Sequence, residues 1–236
     1  MRLRTLVDEV RLGPAVYRVL RPYRPLPRAA LFPAGGEPRP HCLLMYADRT
    51  AAAVLHAAWA LATISPRSLV CLPMRAARPP AHTPFAGSEA MSYDLVLLHH
   101  RLQFPLSRWK QVRARLRGGT PHTAVLPPGV LPGYEEIDHD ARGYAGQRDH
   151  LRIELSGRTA FVVGSTVAFR QWGHCLRRLA TGPGPDEASS CGAPHHCVSV
   201  DDWRPRQDRD WTDLHIEVVA DWRPGAVLPA ANAVRR

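Results

Sequence analysis

The sequence predicts an α/β protein with a Rossmann-like or receiver-like, doubly wound, mainly parallel sheet and a mixed edge. Three observations predict it. Between Pro40 and Gly129, four short apolar runs alternate with longer stretches, two of them helix-like: His41–Ala47, Ser68–Pro73, Tyr93–His99 and Thr123–Pro127. These runs are nearly continuous in apolar residues, as strands covered on both faces are. Beyond them, Leu151–Leu155 and Arg158–Val163 alternate around Ser156-Gly157, the pattern of a hairpin.

Leu3, Leu6, Val7 and Val10 fall at helical spacing, as do Val16, Val19 and Leu20, with Gly13 and Pro14 between the two pieces. This predicts a helical arm, tied by the Pro/Gly-rich connection Pro22–Pro40 to the main domain. Asp48 is placed to cap a helix Arg49–Ile64, which is apolar nearly all round and so predicted to be buried. Met74–Ser92 reads as loop with at most a short helix near Ser88–Met91. Leu106–Arg117 reads as a helix with Ser107 as cap and Gly118 as stop. Pro128–Gly146 reads as loop. Thr166–Thr181 is a helix with Phe169, Trp172, Cys175, Leu176 and Leu179 on one side, stopped by Gly182. Pro183–Trp211 reads as loop, Leu214–Val219 as a last strand and Pro224–Arg236 as a tail. The expected organisation is a helical arm and connection over 1–40, an α/β domain over 41–182 and a loop-and-strand extension over 183–236.

Composition narrows the function classes. The 236 residues are 45% apolar, enough for a sizeable core, and the net charge is +10. Lys110 is the only lysine, so the chain is arginine-rich. No apolar stretch reaches the ~20 residues of a membrane span. Met1–Val10 lacks the apolar core of a secretory signal, so a cytoplasmic location is expected. Of five cysteines, Cys42, Cys71 and Cys175 read as small core hydrophobes, and no disulfide framework is indicated.

The run Tyr93-Asp94-Leu95-Val96-Leu97-Leu98-His99 resembles the middle strand of response-regulator receiver domains. The order around it fits over about residues 41–129: Leu43–Asp48, an apolar helix, Leu69–Pro73, this strand, then Trp109–Arg117. The departures define what the resemblance implies. His99 stands where receivers carry the phosphate-accepting Asp, and Asp48 alone supplies the acidic cluster. Pro127 replaces a Thr or Ser, and no lysine ends a fifth strand. The implied class is a pseudo-receiver, a scaffold without phosphotransfer.

Five constellations could carry chemistry or binding. Asp48, His99 and His100 fall at predicted strand carboxyl ends, where open α/β sheets hold their sites. An Asp orienting a His is the minimum general-base pair, with Ser165, Thr166 or Cys71 as nucleophile. The plainer reading makes Asp48 a helix cap and His99 a packed core residue. Gly164-Ser165-Thr166, between strand and helix, suits an anion or equally a tight turn with an N-cap. Cys191, His195, His196 and Cys197 have the donors for zinc, with Asp201 or Asp202 nearby, although the spacing is not that of a standard finger. Trp203-Arg204-Pro205-Arg206, Trp211 and Trp222-Arg223 could stack on bases or close a core. Arg113 and Arg117, at i, i+4, could touch phosphates or form a solvated face.

The expectation is a non-catalytic regulatory domain binding a protein partner or small anionic ligand at the strand ends. The alternatives are a nucleic-acid binder using the basic surface and an enzyme with an Asp/His site. No cofactor is expected other than zinc at 191–197.

Overall fold

Alternate burial governs the N-terminal elements. In Arg2–Leu12 the buried residues are Leu3, Thr5, Asp8, Val10 and Leu12, so this segment is a strand, β1. Ala15–Pro22 is a second strand, β2, paired antiparallel with it from Thr5↔Pro22 to Leu12↔Ala15. Gly13 turns the chain at φ +61°. The expected helical arm is therefore a hairpin. Leu3/Val7 and Leu6/Val10 lie four apart, a spacing that fits either period, and the glycine turn decides it. The structure, a computed structural model, describes residues 1–34, 40, 42–86, 90–140, 149–182, 196–201 and 213–223.

The remaining elements are β3 (Ala29–Ala34), β4 (Cys42–Ala47), α1 (Arg49–Ile64), β5 (Ser68–Leu72), β6 (Asp94–His99), α2 (Trp109–Ala114), β7 (Thr120–Val125), β8 (Arg152–Leu155), β9 (Thr159–Gly164), α3 (Thr166–Thr181), β10 (His196–Asp201) and β11 (Asp213–Val218). They form a mixed α/β architecture with two sheets. The larger runs β7-β1-β2-β5-β6-β9-β8 and the smaller β10-β11-β4-β3.

The strand arrangement corrects the sequence reading. The mainly parallel sheet predicted from the apolar runs implies that Leu43–Tyr46, Leu69–Leu72 and Leu95–Leu98 lie side by side and parallel. Instead β4 belongs to the smaller sheet, and β5 pairs antiparallel with β6, from Leu69↔Leu98 to Leu72↔Leu95. Parallel neighbours need a crossover, usually a helix. The segment 73–93 contains none among its described residues. In the larger sheet only β2–β5 and β6–β9 are parallel; the other four pairings are antiparallel. The mixed character thus reaches the sheet centre rather than stopping at one edge.

Layers follow from which apolar faces meet. Val70, Leu72, Leu95, Leu97, Ala160 and Val162 face a core that also holds α1, α3 and, from the smaller sheet, Leu43, Met45, Val198, Leu214 and Ile216. The two helices are thus sandwiched between the sheets, which is why α1 is buried nearly all round. Trp59, fully buried, donates its indole N–H to the Phe169 carbonyl at 2.8 Å and joins them. The opposite face of the larger sheet, with Leu69, Cys71, Val96, Leu98, Phe161 and Val163, is covered by Trp109 and Val112 of α2 and by Phe104. Trp222 closes the outer face of the smaller sheet with Phe32 and Tyr46, the core-closing role.

Helices α1 and α3 and the β8–β9 hairpin match their expected bounds closely, with Gly157 at φ +57° and Gly182 at φ +86°. Four segments differ. Residues 22–40 contain β3, whose Pro33 is tolerated because β3 is an edge strand. The helix expected over 106–117 is a 3-10 turn, Leu106–Arg108, followed by the shorter α2, and Ser107 lies inside that turn rather than at a cap position. The strand β7 starts three residues before Thr123 and ends at Val125. The loop expected over 183–211 contains β10. Residues 88–89 of the expected short helix, and the tail 224–236, lie outside the described residues. Among those described, no helix is long and apolar enough to cross a membrane.

Candidate functional site

Strand β6 ends at His99, beside Gly164 at the end of the parallel strand β9. The imidazole is 4% exposed. Its Nδ1 faces the Arg101 N–H at 3.1 Å, and its Nε2 faces the Thr166 N–H at 3.1 Å and the Thr166 hydroxyl at 3.4 Å. That hydroxyl donates to the Thr63 carbonyl at 3.1 Å. Two amide donors thus face a ring that, when neutral, has one lone pair. A protonated ring would set N–H against N–H at both sites. Burial first, then the charges of His100 and Arg101, lower the His99 pKa below its ordinary range. The ring is therefore held neutral.

The arrangement does not make a general base. A base needs a lone pair aimed at the nucleophile and a far nitrogen donating to an acceptor. Here the far nitrogen meets a donor, and the lone pair is engaged by an amide. Thr166 is brought to His99, yet its proton is directed to Thr63.

Asp48 is not brought to His99. Its Oδ1 accepts the Ala51 N–H at 2.7 Å, capping α1, and Arg28 lies 3.7 Å from Oδ2. His99 stands at the other end of α1, near Thr63, about 22 Å away along the helix axis. Nor is Asp48 on a neighbouring strand, since β4 belongs to the other sheet. Cys71 lies across from Val96, three residues back along β6, and is buried. Burial, then the Asp94 charge, pushes its thiol pKa far up. The Asp48–His99 pair on which an enzyme reading would rest is not formed.

The Gly164-Ser165-Thr166 turn has a geometric cause. A Cβ on Gly164 would stand 2.5 Å from Leu151 Cδ2, so the close approach requires glycine. Ser165 Oγ accepts the Ala168 N–H at 3.0 Å, and the Ser165 carbonyl accepts the Phe169 N–H at 3.0 Å. The amides of Thr166, Ala168 and Phe169 are thus all engaged internally. What remains toward solvent is a rim of His100, Arg101 and Thr166, all exposed.

The other candidates separate. Cys191 and His195 lie outside the described residues, as do Trp203, Arg204, Pro205, Arg206 and Trp211. His196 opens β10, and Cys197, 1% exposed, pairs across to Glu217. Among the described residues no group of three or more His, Cys, Asp or Glu could hold a metal ion. Arg113 and Arg117 do not share a helix face, because α2 ends at Ala114. Arg113 Nη1 instead lies 3.8 Å from Asp94 Oδ2, and the Arg117 N–H donates to Asp8 at 3.0 Å.

Two buried carboxylates were missed as nodes. Asp94, 4% exposed, accepts the Met74 N–H at 3.0 Å and the Arg75 N–H at 3.3 Å, with Arg75 Nε 2.7 Å from Oδ2 as an ion pair. Arg75 also donates to Thr159 Oγ1 at 2.6 Å, where the Trp109 indole N–H donates at 3.0 Å. Burial raises the Asp94 pKa to about 6, opposed by the Met74 N–H and the Arg158 charge. Asp8 is held by Arg21 Nε and Nη2 at 3.1 and 2.6 Å. A charge within an apolar run is the signal that could have found Asp94, since a buried carboxylate requires partners.

Compared with family models, with curated proteins and with solved structures, the chain matches none. Fold and site together define a mixed α/β protein whose strand-end groups His99 and Ser165 serve the backbone.

Proposed function

We propose that the chain is a non-catalytic regulatory α/β domain, Rossmann-like in its layering, that binds a small anionic ligand or a protein partner at the carboxyl ends of β6 and β9. One observation carries this reading. The groups that could perform chemistry, Asp48, His99 and Ser165, are engaged by backbone amides, whereas His100, Arg101 and Thr166 form an exposed rim at the N-terminus of α3. Cationic and hydrogen-bonding groups at a helix N-terminus suit an anion. The pseudo-receiver reading belongs to the same proposal, because a scaffold with His99 at the acceptor position performs no phosphotransfer.

The test is an NMR titration of the full chain with inorganic phosphate. The Arg101, Thr166 and Val167 amides should shift together and saturate, and Arg101→Ala should weaken the effect. Shifts scattered over the arginine surface, or none, overturn the anion reading.

The charge of +10 favours a second reading, nucleic-acid binding. Its affinity for duplex or single strands would then fall steeply between 50 and about 200 mM salt, as released counterions require. No binding at low salt removes it.

A further inference from the structure

Away from the strand ends, α3 carries a second pair of reactive groups. His174 Nδ1 lies 2.9 Å from the Gln171 carbonyl oxygen. A carbonyl only accepts, so in the neutral ring Nδ1 carries the proton and the lone pair is at Nε2. Nε2 lies 3.1 Å from Cys175 Sγ, so the thiol donates to the imidazole. Nucleophile, base and orienting acceptor follow one another, the order that His99 lacks.

The surroundings hold this pair in place. Tyr134 packs against the His174 ring at 5.4 Å and His139 at 5.7 Å, both edge-on. Leu131 lies against Gly173, where a Cβ would stand 2.8 Å from Leu131 Cδ2. His174 and Cys175 are half-buried and line an open cleft of about 930 Å³, with Tyr134, Glu135, Arg177, Arg178 and Val198, so two guanidinium groups face it against one carboxylate. The other described cysteines differ. Cys71 and Cys197 are buried, and the Cys42 thiol is pushed up to about 12 by burial and by Asp213.

We propose that Cys175 is a modification site: a reactive thiol, deprotonated by His174, that takes low-molecular-weight anionic electrophiles, in particular anionic disulfides. The site goes beyond the strand-end reading and uses none of its residues. In the step, the thiol proton moves to His174 Nε2 and the sulfur electron pair bonds to one sulfur of the disulfide. The old S–S bond breaks, and its second sulfur leaves with the electron pair and takes up the proton. Cys175 is oxidised to a mixed disulfide and the leaving half is reduced to a thiol. Arg177 and Arg178 receive the negative charge of the incoming molecule.

Alkylation tests this without a redox partner. Iodoacetate is anionic and iodoacetamide neutral; with either, a C–S bond forms, iodide leaves and the proton passes through His174 to solvent. The full chain carrying Cys191→Ser is used, and the modified peptide is mapped by mass spectrometry. At pH 7, Cys175 should react about tenfold faster than a free small-molecule thiol, because the thiolate is the nucleophile. The iodoacetate-to-iodoacetamide ratio should exceed that of the free thiol several-fold, and added salt should reduce it. His174→Gln should slow both reagents about equally, while Arg177→Ala should slow iodoacetate alone, a split that a packing role does not produce. Should His174→Gln unfold, His174→Asn and the reagent ratio of the parent chain serve instead. A Cys175 that reacts at the free-thiol rate, or indifferently to His174, overturns the proposal.

Discussion

The Thr166 N–H stands 3.1 Å from His99 Nε2, and this contact ties the end of β6 to the first turn of α3. With the Thr166 hydroxyl on the Thr63 carbonyl, it also reaches the last turn of α1. A residue expected at a reactive strand end is the point where a strand and two helices are fastened.

His99→Ala should therefore lower stability by about 1–3 kcal/mol, through lost hydrogen bonds and a small cavity. Urea unfolding at pH 7 measures it. The pH dependence has a definite sign. Because the folded-state pKa lies below the ordinary 6.5, the unfolded chain binds the proton first as pH falls. The His99 contribution is present above about pH 6.5 and is lost as pH falls through 6.5 toward the folded-state value. The difference between parent and variant should shrink over that window.

Asp94 titrates in the opposite sense. Its folded-state pKa is raised to about 6 from the ordinary 3.8, so the folded chain binds the proton first. Its contribution is greatest below about pH 4, falls as pH rises to about 6 and is flat above. Asp94→Asn should remove this fall, leaving a flatter curve between pH 4 and 6. Chemical denaturation of both proteins across that range checks it. An unchanged slope would show that the Arg75 and Arg158 charges hold Asp94 ionised throughout.

How much of this was legible depended on how local the cause was. Helices α1 and α3 could be read because their caps are encoded beside them, in Asp48, Ser165 and Gly182. The β8–β9 hairpin could be read because its turn is short: the Ser156 N–H donates to the Thr159 carbonyl, leaving Gly157 and Arg158 between them, one residue on from the expected Ser156-Gly157. The β1–β2 hairpin was misread because four-residue spacings suit either period, and only the Gly13 turn separates them. Strand order depends on contacts distant in sequence: nothing near Leu43 announces that its strand pairs with Leu214 rather than with residues 69–72. The same limit separated Asp48 from His99. It also hid the cleft beside Cys175, whose walls come from Tyr134, α3 and Val198.

Asp8 clamps three pieces of chain. Its Oδ2 accepts from Arg21, its Oδ1 accepts the Arg117 N–H, and Arg21 Nη2 also donates to the Arg117 carbonyl at 2.9 Å. This fixes the approach to the edge strand β7. Asp8→Ala leaves a mostly buried guanidinium and an amide without their carboxylate. The cost should be about 2–3 kcal/mol, below that of a fully buried pair because Arg21 keeps some solvent contact. Hydrogen exchange should quicken in β7 before it does in β6. Equal protection of β7 in parent and variant would show that the clamp does not hold the edge.

Gly173 supplies a test in which two principles compete. In an open helix, Gly→Ala gains about 0.5–1 kcal/mol from reduced backbone freedom. Here the new Cβ would stand 2.8 and 2.9 Å from Leu131 Cδ2 and Cβ, and neither atom has room to leave, since Leu131 is only 4% exposed. Overpacking of this kind costs about 1–3 kcal/mol, so it should outweigh the helical gain and Gly173→Ala should be destabilising. Leu131→Ala alone should also destabilise, by leaving a cavity beside α3. The double variant should be more stable than the sum of the two predicts, because the small side chain of one makes room for the methyl of the other. Thermal or urea unfolding of the four proteins gives the coupling directly. A gain in stability from Gly173→Ala alone would mean that the 128–133 segment moves aside. The Tyr134–His174 contact, one residue beyond it, would then be expected to loosen as well.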